Sequence, residues 1–315
     1  MKTEKLCLYE NRPDVTLTTY LIDDSRELMN GRKRPAILIC PGGAYMFCSD
    51  REAEPVALRF MAMGYHAFVL RYSVYNKGVM VDPRGEMPLD MDSQYPNAMC
   101  DIGAAMLYIR DHSEEWLVDA DQVFLSGFSA GAHNSAMYCT QWNSGLLSER
   151  LGRPAAELKP AGAILGYGYY DWAVFRDAAA ENEMARMLNE SVDFAYFGTK
   201  QPTREQYEMA SPALHVTEDT PPMFLWTTCS DHTLPSQQTM VMGCALAEAG
   251  IPYELHIFEN GDHGLSLADQ ASAGFREQIN PEVAAWIPMA QRWLERHFPL
   301  KVLEQPAFGN PFAEE

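Results

Sequence analysis

The residues best suited to chemistry are Gly127-Phe128-Ser129-Ala130-Gly131, which come just after the apolar run Val123-Phe124-Leu125. In a nucleophile elbow, a buried strand turns sharply into a helix and lifts one serine out of the sheet. The flanking glycines are needed because a Cβ would collide with neighbouring backbone. A GxSxG pattern also occurs in ordinary loops, but the helix-compatible residues 130–140 favour the elbow. The pattern therefore predicts that the hydroxyl of Ser129 is exposed and nucleophilic.

A nucleophilic serine of this kind needs an acid and a base, which follow it in the order Ser, Asp or Glu, His. Two later apolar segments, residues 222–229 and 252–258, are predicted strands, and Asp231 and His263 come soon after them. Open α/β sheets place their ligands beyond the C-terminal ends of the strands. We therefore expect Asp231 to be the acid and His263 to be the base.

Three other side chains compete for these roles. Asp262 is the nearest rival acid, but a residue adjacent to the histidine rarely aims its carboxylate at that ring. His133 lies one helical turn beyond Ser129, and we expect it to pack locally because it points away from the mouth of the elbow. His232 is expected to line the site or to face solvent.

A glycine-rich turn upstream can complete the site. Pro41-Gly42-Gly43-Ala44-Tyr45 follows residues 36–40, a continuous apolar run typical of a fully buried parallel strand. The N–H groups of Gly43 and Ala44, together with that of Ala130, are predicted to hold an oxyanion as charge develops on a carbonyl. A plain β-turn is the alternative interpretation of this segment.

Together these motifs resemble the α/β-hydrolase superfamily, and within it the acetyl-xylan-esterase-like carbohydrate esterases, a group that includes feruloyl-esterase-like members. The resemblance covers roughly residues 30–298. The segments that carry it are PGGAY (41–45), REAEPVA (51–57), GYHAFVLRY (64–72), GFSAG (127–131), Asp231 with LP (234–235), and GDHGL (261–265). The resemblance implies that Ser129, Asp231 and His263 form the catalytic triad. It also implies that the oxyanion hole is formed by Gly43, Ala44 and Ala130.

The chain departs from the family pattern at three positions. Pro41 stands where related lipases and esterases have the histidine of an HGGG-type loop, and Ala44 replaces the last glycine of that loop. Ala132 stands where a second glycine often follows the elbow. Because alanine still donates an N–H, these differences bear on rate and pocket shape more than on the reaction itself.

The order of the predicted elements indicates an α/β fold. Strands are predicted at residues 15–22, 37–40, 67–70, 123–125, 161–165, 223–227 and 253–258, and helices at 49–64, 99–109, 130–140, 237–249 and 283–296. Repeated β-α units imply a mostly parallel sheet with helices on both faces. Ser49 and Glu52 are predicted to form a capping box at the start of the first helix. We expect residues 1–315 to form one α/β-hydrolase domain.

The alternation breaks between residues 167 and 221, where helices are predicted at 181–197 and 204–209. We expect residues 167–221 to form a small cap inserted over the site, and residues 299–315 to form an extended tail. Aromatic rings can stack on sugar rings, so the aromatic residues near the site are candidates for a carbohydrate platform: Tyr45, Tyr167, Tyr169, Tyr170 and Trp172. The alternative is that these rings pack together and fasten the cap.

Composition limits the class of protein. At 315 residues with 47% hydrophobic content, the chain can bury one large core. Its net charge is −19, from 43 acidic and 24 basic residues. Because such a surface repels nucleic acid and anionic membranes, we expect the protein to bind neither. The histidines and cysteines show no ligand spacing, so we expect no metal and no organic cofactor. Seven cysteines without CxxC spacing, and a start without an apolar signal core, predict a cytoplasmic location.

These inferences predict a serine carboxylesterase that removes short acyl groups, acetyl above all, from sugars or xylo-oligosaccharides. A formamidase or peptidase is the nearest alternative, because an elbow indicates acyl transfer and does not specify the leaving group. A non-catalytic binding protein on the same scaffold is the alternative of another class. It would be expected to lose Ser129, Asp231 or His263, and all three are present.

Overall fold

The core of the fold is a mixed sheet of eight strands. The computed structural model describes residues 1–79, 87–172 and 183–308. Within these residues, the strands are β1 (Lys2–Tyr9), β2 (Arg12–Leu21), β3 (Arg34–Cys40), β4 (His66–Arg71), β5 (Val118–Phe128), β6 (Gly162–Gly166), β7 (Met223–Thr228) and β8 (Tyr253–Phe258). Their order across the sheet is β1-β2-β4-β3-β5-β6-β7-β8.

Most of the sheet is parallel. Strand β3 pairs in parallel with β4 and β5, and β5 through β8 continue the parallel pairing to the far edge. Only the pairings of β2 with β1 and with β4 are antiparallel among the described strands. Since parallel strands end at a common edge, the segments that follow β3, β5, β6, β7 and β8 emerge side by side. The prediction of an α/β fold with a mostly parallel sheet is confirmed.

Ten α-helices accompany the strands in the described residues. They are α1 (Glu54–Ala62), α2 (Asn97–Asp111), α3 (Ser113–Trp116), α4 (Ala130–Gln141), α5 (Leu146–Leu151), α6 (Glu183–Phe197), α7 (Arg204–Met209), α8 (Gln237–Glu248), α9 (Pro281–Ala284) and α10 (Trp286–His297). None of the helices in the described part of the chain is long and apolar enough to cross a membrane.

The central strand β3 packs against helices on both faces, because its side chains alternate between two apolar clusters. Ala36, Leu38 and Cys40 lie in a cluster that includes buried residues of α2, α4 and α8. Ile37 and Ile39 lie in the other cluster, with buried residues of α1 and α10. Full burial of a leucine or isoleucine side chain, such as those of Leu38 and Ile37, contributes about 1.5–3 kcal/mol to the free energy of folding. This burial on both sides explains the unbroken apolar run that the sequence shows here.

Two predicted helices differ from the structure at their boundaries. The helix predicted at 49–64 is a short 3-10 turn, Asp50–Glu52, followed by α1, and Ser49 makes no side-chain capping bond. The predicted capping box is therefore wrong, and the carboxylate of Glu52 faces inward. The helix predicted at 283–296 is divided into α9 and α10, since Pro288 has no N–H to donate to the carbonyl of Ala284.

The helices predicted at 181–197 and 204–209 correspond to α6 and α7. Helix α7 begins with a capping box between Thr203 and Gln206. The first part of the predicted cap, residues 173–182, lies outside the described residues, as do residues 309–315 of the predicted tail. Residues 299–308 contain no helix or strand. The division into one domain with a cap and a tail remains a prediction.

The contact between the start of α4 and the end of β3 generates a test. A Cβ on Gly131 would overlap the carbonyl oxygen of Cys40 and would lie 2.5 Å from that of Pro41. Because both neighbours are backbone, we expect Gly131→Ala to lower the free energy of unfolding by about 1–3 kcal/mol or more. Urea denaturation measures this change. Gly274→Ala, whose Cβ would meet no atom closer than 3.4 Å, is the control, and equal midpoints for the two variants would contradict the packing described.

Candidate active site

Ser129 occupies the turn between β5 and α4. Its backbone has φ 51° and ψ −120°, a conformation that is strained for a residue with a side chain. The turn is held by two hydrogen bonds, from the N–H of Ser129 to the carbonyl of Gly166 at 3.0 Å and from the N–H of His133 to the carbonyl of Ser129 at 3.0 Å. Gly127 must be glycine here, since its Cβ would lie 2.7 Å from Cα of Ala132. The side chain of Ser129 is left half-buried at the edge of the sheet.

The structure brings Ser129, His263 and Asp231 together in one chain of hydrogen bonds. Nε2 of His263 lies 2.9 Å from Oγ of Ser129, and Nδ1 of His263 lies 2.7 Å from Oδ2 of Asp231. The elements that position them are neighbours, because Asp231 follows β7, His263 follows β8, and these strands pair in parallel. Residues 134 positions apart in the sequence therefore meet at the common edge of the sheet.

Asp231, and not Asp262, faces the imidazole ring. The side chain of Asp231 is fully buried, and its Oδ1 accepts the N–H groups of Thr233 and Leu234 at 2.8 and 2.9 Å. These bonds fix the carboxylate while its other oxygen contacts His263. Asp262 is exposed and accepts the backbone N–H of His263 instead. His232, which follows Asp231 in the sequence, is exposed.

The surroundings of His263 raise its pKa above the ordinary value. Burial by itself favours the neutral ring and lowers the pKa, but the hydrogen bond and the charge of Asp231 outweigh it. The charges of Glu52 and Asp262 act in the same direction as Asp231. The ring is thus placed to accept a proton from Ser129 and to carry a positive charge that Asp231 stabilises.

The glycine-rich turn lies directly against the serine. A Cβ on Gly42 would be 2.8 Å from Cβ of Ser129, so the two segments are in contact. Gly43 and Ala44 are half-buried and have φ values of 132° and 55°, which turn the backbone sharply at this point. Among the described residues, no acceptor is paired with the N–H of Gly43, Ala44 or Ala130. The three N–H groups therefore lie, without an acceptor in the described residues, in the two segments that meet at Gly42 and Ser129.

The five aromatic residues predicted to form a sugar platform are buried. Their exposed fractions are at most 3% for the whole set of Tyr45, Tyr167, Tyr169, Tyr170 and Trp172. A stacking platform needs an open ring face, so the prediction is wrong for this arrangement of the rings. The alternative, that the rings pack together, agrees with the contacts of Tyr45, Tyr169 and Trp172. Tyr167 lies in the other apolar cluster, against Phe128 and Trp226.

His133, on α4, contacts three of these rings, those of Tyr45, Tyr169 and Trp172. Its ring stacks on Tyr169 with centroids 4.3 Å apart, and its Nδ1 is hydrogen-bonded to the hydroxyl of Tyr45 at 2.7 Å. Its Nε2 is bonded to the carbonyl of Ala210 at 2.7 Å. Burial lowers the pKa of His133 to about 3, so the ring is neutral. His133 therefore packs locally, as predicted.

Sequence reasoning missed the role of Glu52. Its carboxylate, only 3% exposed, accepts the N–H of Gly42 at 2.7 Å and the hydroxyl of Tyr167 at 2.6 Å. The Ser-x-x-Glu pattern is compatible with a helix cap and with an inward-facing carboxylate alike. No local signal distinguishes the two, because the partners of Glu52 lie 10 and 115 positions away.

Comparison with known proteins supports the relationship that the motifs indicate. The BD-FAE family model matches residues 27–246, which include the glycine-rich turn, Ser129 and Asp231. Over 242 residues, or 75% of the chain, the sequence is 28% identical to endo-1,4-beta-xylanase B of Butyrivibrio fibrisolvens. The chain spans between 33% and 57% of the length of the curated relatives it matches.

Solved structures resemble the chain over almost its whole length. An acetyl ester-xyloside bifunctional hydrolase from Caldicellulosiruptor lactoaceticus is 26% identical with a TM-score of 0.74, covering 94% of this chain and 97% of that one. The carboxylesterase Cest-2923 from Lactobacillus plantarum is 26% identical with a TM-score of 0.75, covering 95% of this chain and 99% of that one. The family match, the mostly parallel sheet and the strained serine turn agree, and the chain belongs to the BD-FAE family and has the α/β-hydrolase fold.

Proposed function

We propose that the chain is a serine carboxylesterase that removes short acyl groups, acetyl above all, from sugars or xylo-oligosaccharides. The observation that carries the proposal is the hydrogen-bonded chain from Ser129 through His263 to Asp231. Each member has the chemistry that its place requires: a hydroxyl to attack, an imidazole to move the proton, and a buried carboxylate to fix the imidazole tautomer.

The reaction proceeds in two halves. The hydroxyl oxygen of Ser129 bonds to the ester carbonyl carbon while Nε2 of His263 takes the hydroxyl proton. The tetrahedral intermediate then expels the alcohol, which takes that proton from His263, and an acyl group remains on Ser129. Water repeats the sequence and releases the acid. Asp231 stabilises the charged imidazole in both halves by accepting its Nδ1–H.

The N–H groups of Gly43, Ala44 and Ala130 are the proposed oxyanion hole. Two observations support this role: Gly42, which precedes Gly43, contacts Ser129, and the three N–H groups have no acceptor among the described residues. Donors that are already oriented stabilise the developing negative charge without further rearrangement, and each such donor typically contributes about 100- to 1000-fold in turnover. Alanine at positions 44 and 130 serves as well as glycine in this respect, because only the backbone donates.

The substrate class rests on the relatives and on charge. Relatives and neighbours are named as esterases, carboxylic ester hydrolases and an acetyl ester-xyloside hydrolase. A net charge of −19 favours an uncharged ester over an anionic one. All seven cysteines are free thiols, which supports the proposed location in a reducing compartment such as the cytoplasm. Imported acetylated oligosaccharides fit these conditions.

Replacing the nucleophile tests the proposal directly. We expect Ser129→Ala to reduce ester hydrolysis by several orders of magnitude while the fold remains intact, because the serine forms the covalent bond. A fluorophosphonate should label Ser129 in the wild type and nothing in the variant. Ser144→Ala, at an exposed position, should retain full activity. Labelling of a different serine would contradict the assignment.

The two aspartates near His263 give a second test. Asp231→Asn should reduce kcat by about three to four orders of magnitude, since an amide holds the wrong imidazole tautomer. Asp262→Asn should change kcat by less than about tenfold, because Asp262 is exposed and the hydrogen bond of its carboxylate in the described residues is with a backbone N–H, not with the imidazole ring. Steady-state kinetics on an aryl acetate measures both. Equal losses, or the reverse order, would require a different acid.

A substrate panel tests the acyl group and the leaving group. Acetyl esters should be cleaved with a higher kcat/KM than long-chain acyl esters, because the proposed cap limits room for the acyl tail. Acetylated xylo-oligosaccharides should release acetate. Faster turnover of formyl-kynurenine or of short peptides would favour a formamidase or a peptidase, and failure to turn over any acyl compound would favour a binding protein.

A further inference from the structure

A buried carboxylate that the proposed reaction does not use lies next to the nucleophile. One oxygen of Glu52 accepts the N–H of Gly42, and the other accepts the hydroxyl of Tyr167. A Cβ on Gly42 would lie 2.8 Å from that first oxygen and 2.8 Å from Cβ of Ser129. Glu52 and the nucleophile therefore contact the same glycine, one residue before Gly43.

Tyr167 extends this contact to the loop of the histidine. Its hydroxyl accepts the N–H of Ser266 at 2.9 Å, and the hydroxyl of Ser266 donates to the carbonyl of Arg51 at 2.8 Å. The ring of Tyr167 meets the ring of His263 edge-on, with centroids 5.1 Å apart. Glu52 thus joins three segments of the site: the glycine-rich turn after β3, the end of β6, and the loop that follows His263.

A carboxylate suits this position better than an amide. Both groups that meet Glu52 are donors, an N–H and an O–H, and a carboxylate has two acceptor oxygens. A glutamine would present an NH2 to one of them and would leave a buried donor facing a donor. Burying a charge is unfavourable unless it is hydrogen-bonded, and these two bonds meet that requirement.

Glu52 also belongs to the electrostatic surroundings of His263. The charged groups that act on this ring are Asp231, Glu52 and Asp262, and each raises its pKa against the effect of burial. Removing the charge of Glu52 should lower the pKa of His263. Because the ring must be neutral to accept the proton of Ser129, activity would then persist to lower pH.

We propose that Glu52 is a positioning residue for acyl transfer, which fixes the turn that carries the N–H groups of Gly43 and Ala44 and joins this turn, through Tyr167, to the ring of His263. This inference rests on the proposed function of Ser129 and His263. An oxyanion hole acts only when its donors are held before the reaction, and the bond from Gly42 to Glu52 holds the residue that precedes them.

The test compares Glu52→Gln with a control variant, Glu54→Gln. Both variants remove one negative charge, at positions two residues apart. Glu54 is exposed, and its carboxylate accepts the hydroxyl of Tyr20. For Glu52→Gln we expect kcat to fall about 10- to 100-fold with KM little changed, because misplacement of the turn affects the transition state most. The acidic limb of kcat/KM should also move to lower pH. Glu54→Gln should behave as the wild type.

A third variant separates the effect of the side-chain charge from the effect of the side-chain length. It also tests the inference if Glu52→Gln does not fold. Glu52→Asp retains the charge but is one methylene shorter, so it cannot contact both Gly42 and Tyr167 in the same way. We expect its kcat to fall while its acidic limb stays close to that of the wild type. The inference would be overturned if Glu52→Asp kept the kcat of the wild type. It would also be overturned if Glu52→Gln kept both the kcat and the acidic limb of the wild type.

Fluorophosphonate titration keeps this result distinct from a failure of the proposed function. If Ser129 is labelled in the wild type and the Glu52 variants match it in kcat and pH profile, only the role of Glu52 is wrong. If Ser129 is not labelled and Ser129→Ala remains active, the proposed function fails, and the inference about Glu52 fails with it.

Discussion

The arrangement of the site depends on the close approach of two backbone segments at the edge of the sheet. The turn after β5 packs against the end of β3 without a side chain between them, which is possible because Gly131 has no Cβ. This approach forces Ser129 into a positive φ, a strain of about 1–3 kcal/mol. The surrounding strands, which are buried in two apolar clusters, hold the turn in this strained conformation. The remaining parts of the site are arranged around this turn.

The parallel sheet explains why residues far apart in sequence meet here. The segments after β3, β5, β7 and β8 carry the glycine-rich turn, Ser129, Asp231 and His263 in that order. Glu52 and Tyr167 add a second layer of contacts beneath them, linked by hydrogen bonds of 2.6 to 2.9 Å. The site therefore combines a rigid backbone with two buried carboxylates, and the charges of both favour the protonated imidazole of His263 that the proposed acyl transfer requires.

Sequence patterns predicted the elements that depend on local rules. Strands β3 and β8 and helix α4 follow from apolar runs and turn residues, and the positions of Ser129, Asp231 and His263 follow from the motif order. Strand β1 was missed because it lies at the edge of the sheet, and its charged, exposed residues show no apolar face. Residue type alone does not show whether an aromatic ring faces solvent, so the sequence leaves both sugar binding and packing open for the aromatic residues around Tyr169, which are buried. The contacts of Glu52 could not be predicted, because they join segments that only the tertiary fold brings together.

The central claim is that Ser129 carries the acyl group during turnover. Acid quenching of the wild type in the first turnovers with an aryl acetate, followed by mass spectrometry of proteolytic peptides, tests it most directly. We expect a burst of phenol close to one equivalent and one acetyl group on the peptide that contains Ser129. Turnover by the wild type without acetylation of the Ser129 peptide would contradict the account, as would acetylation of another residue in step with catalysis.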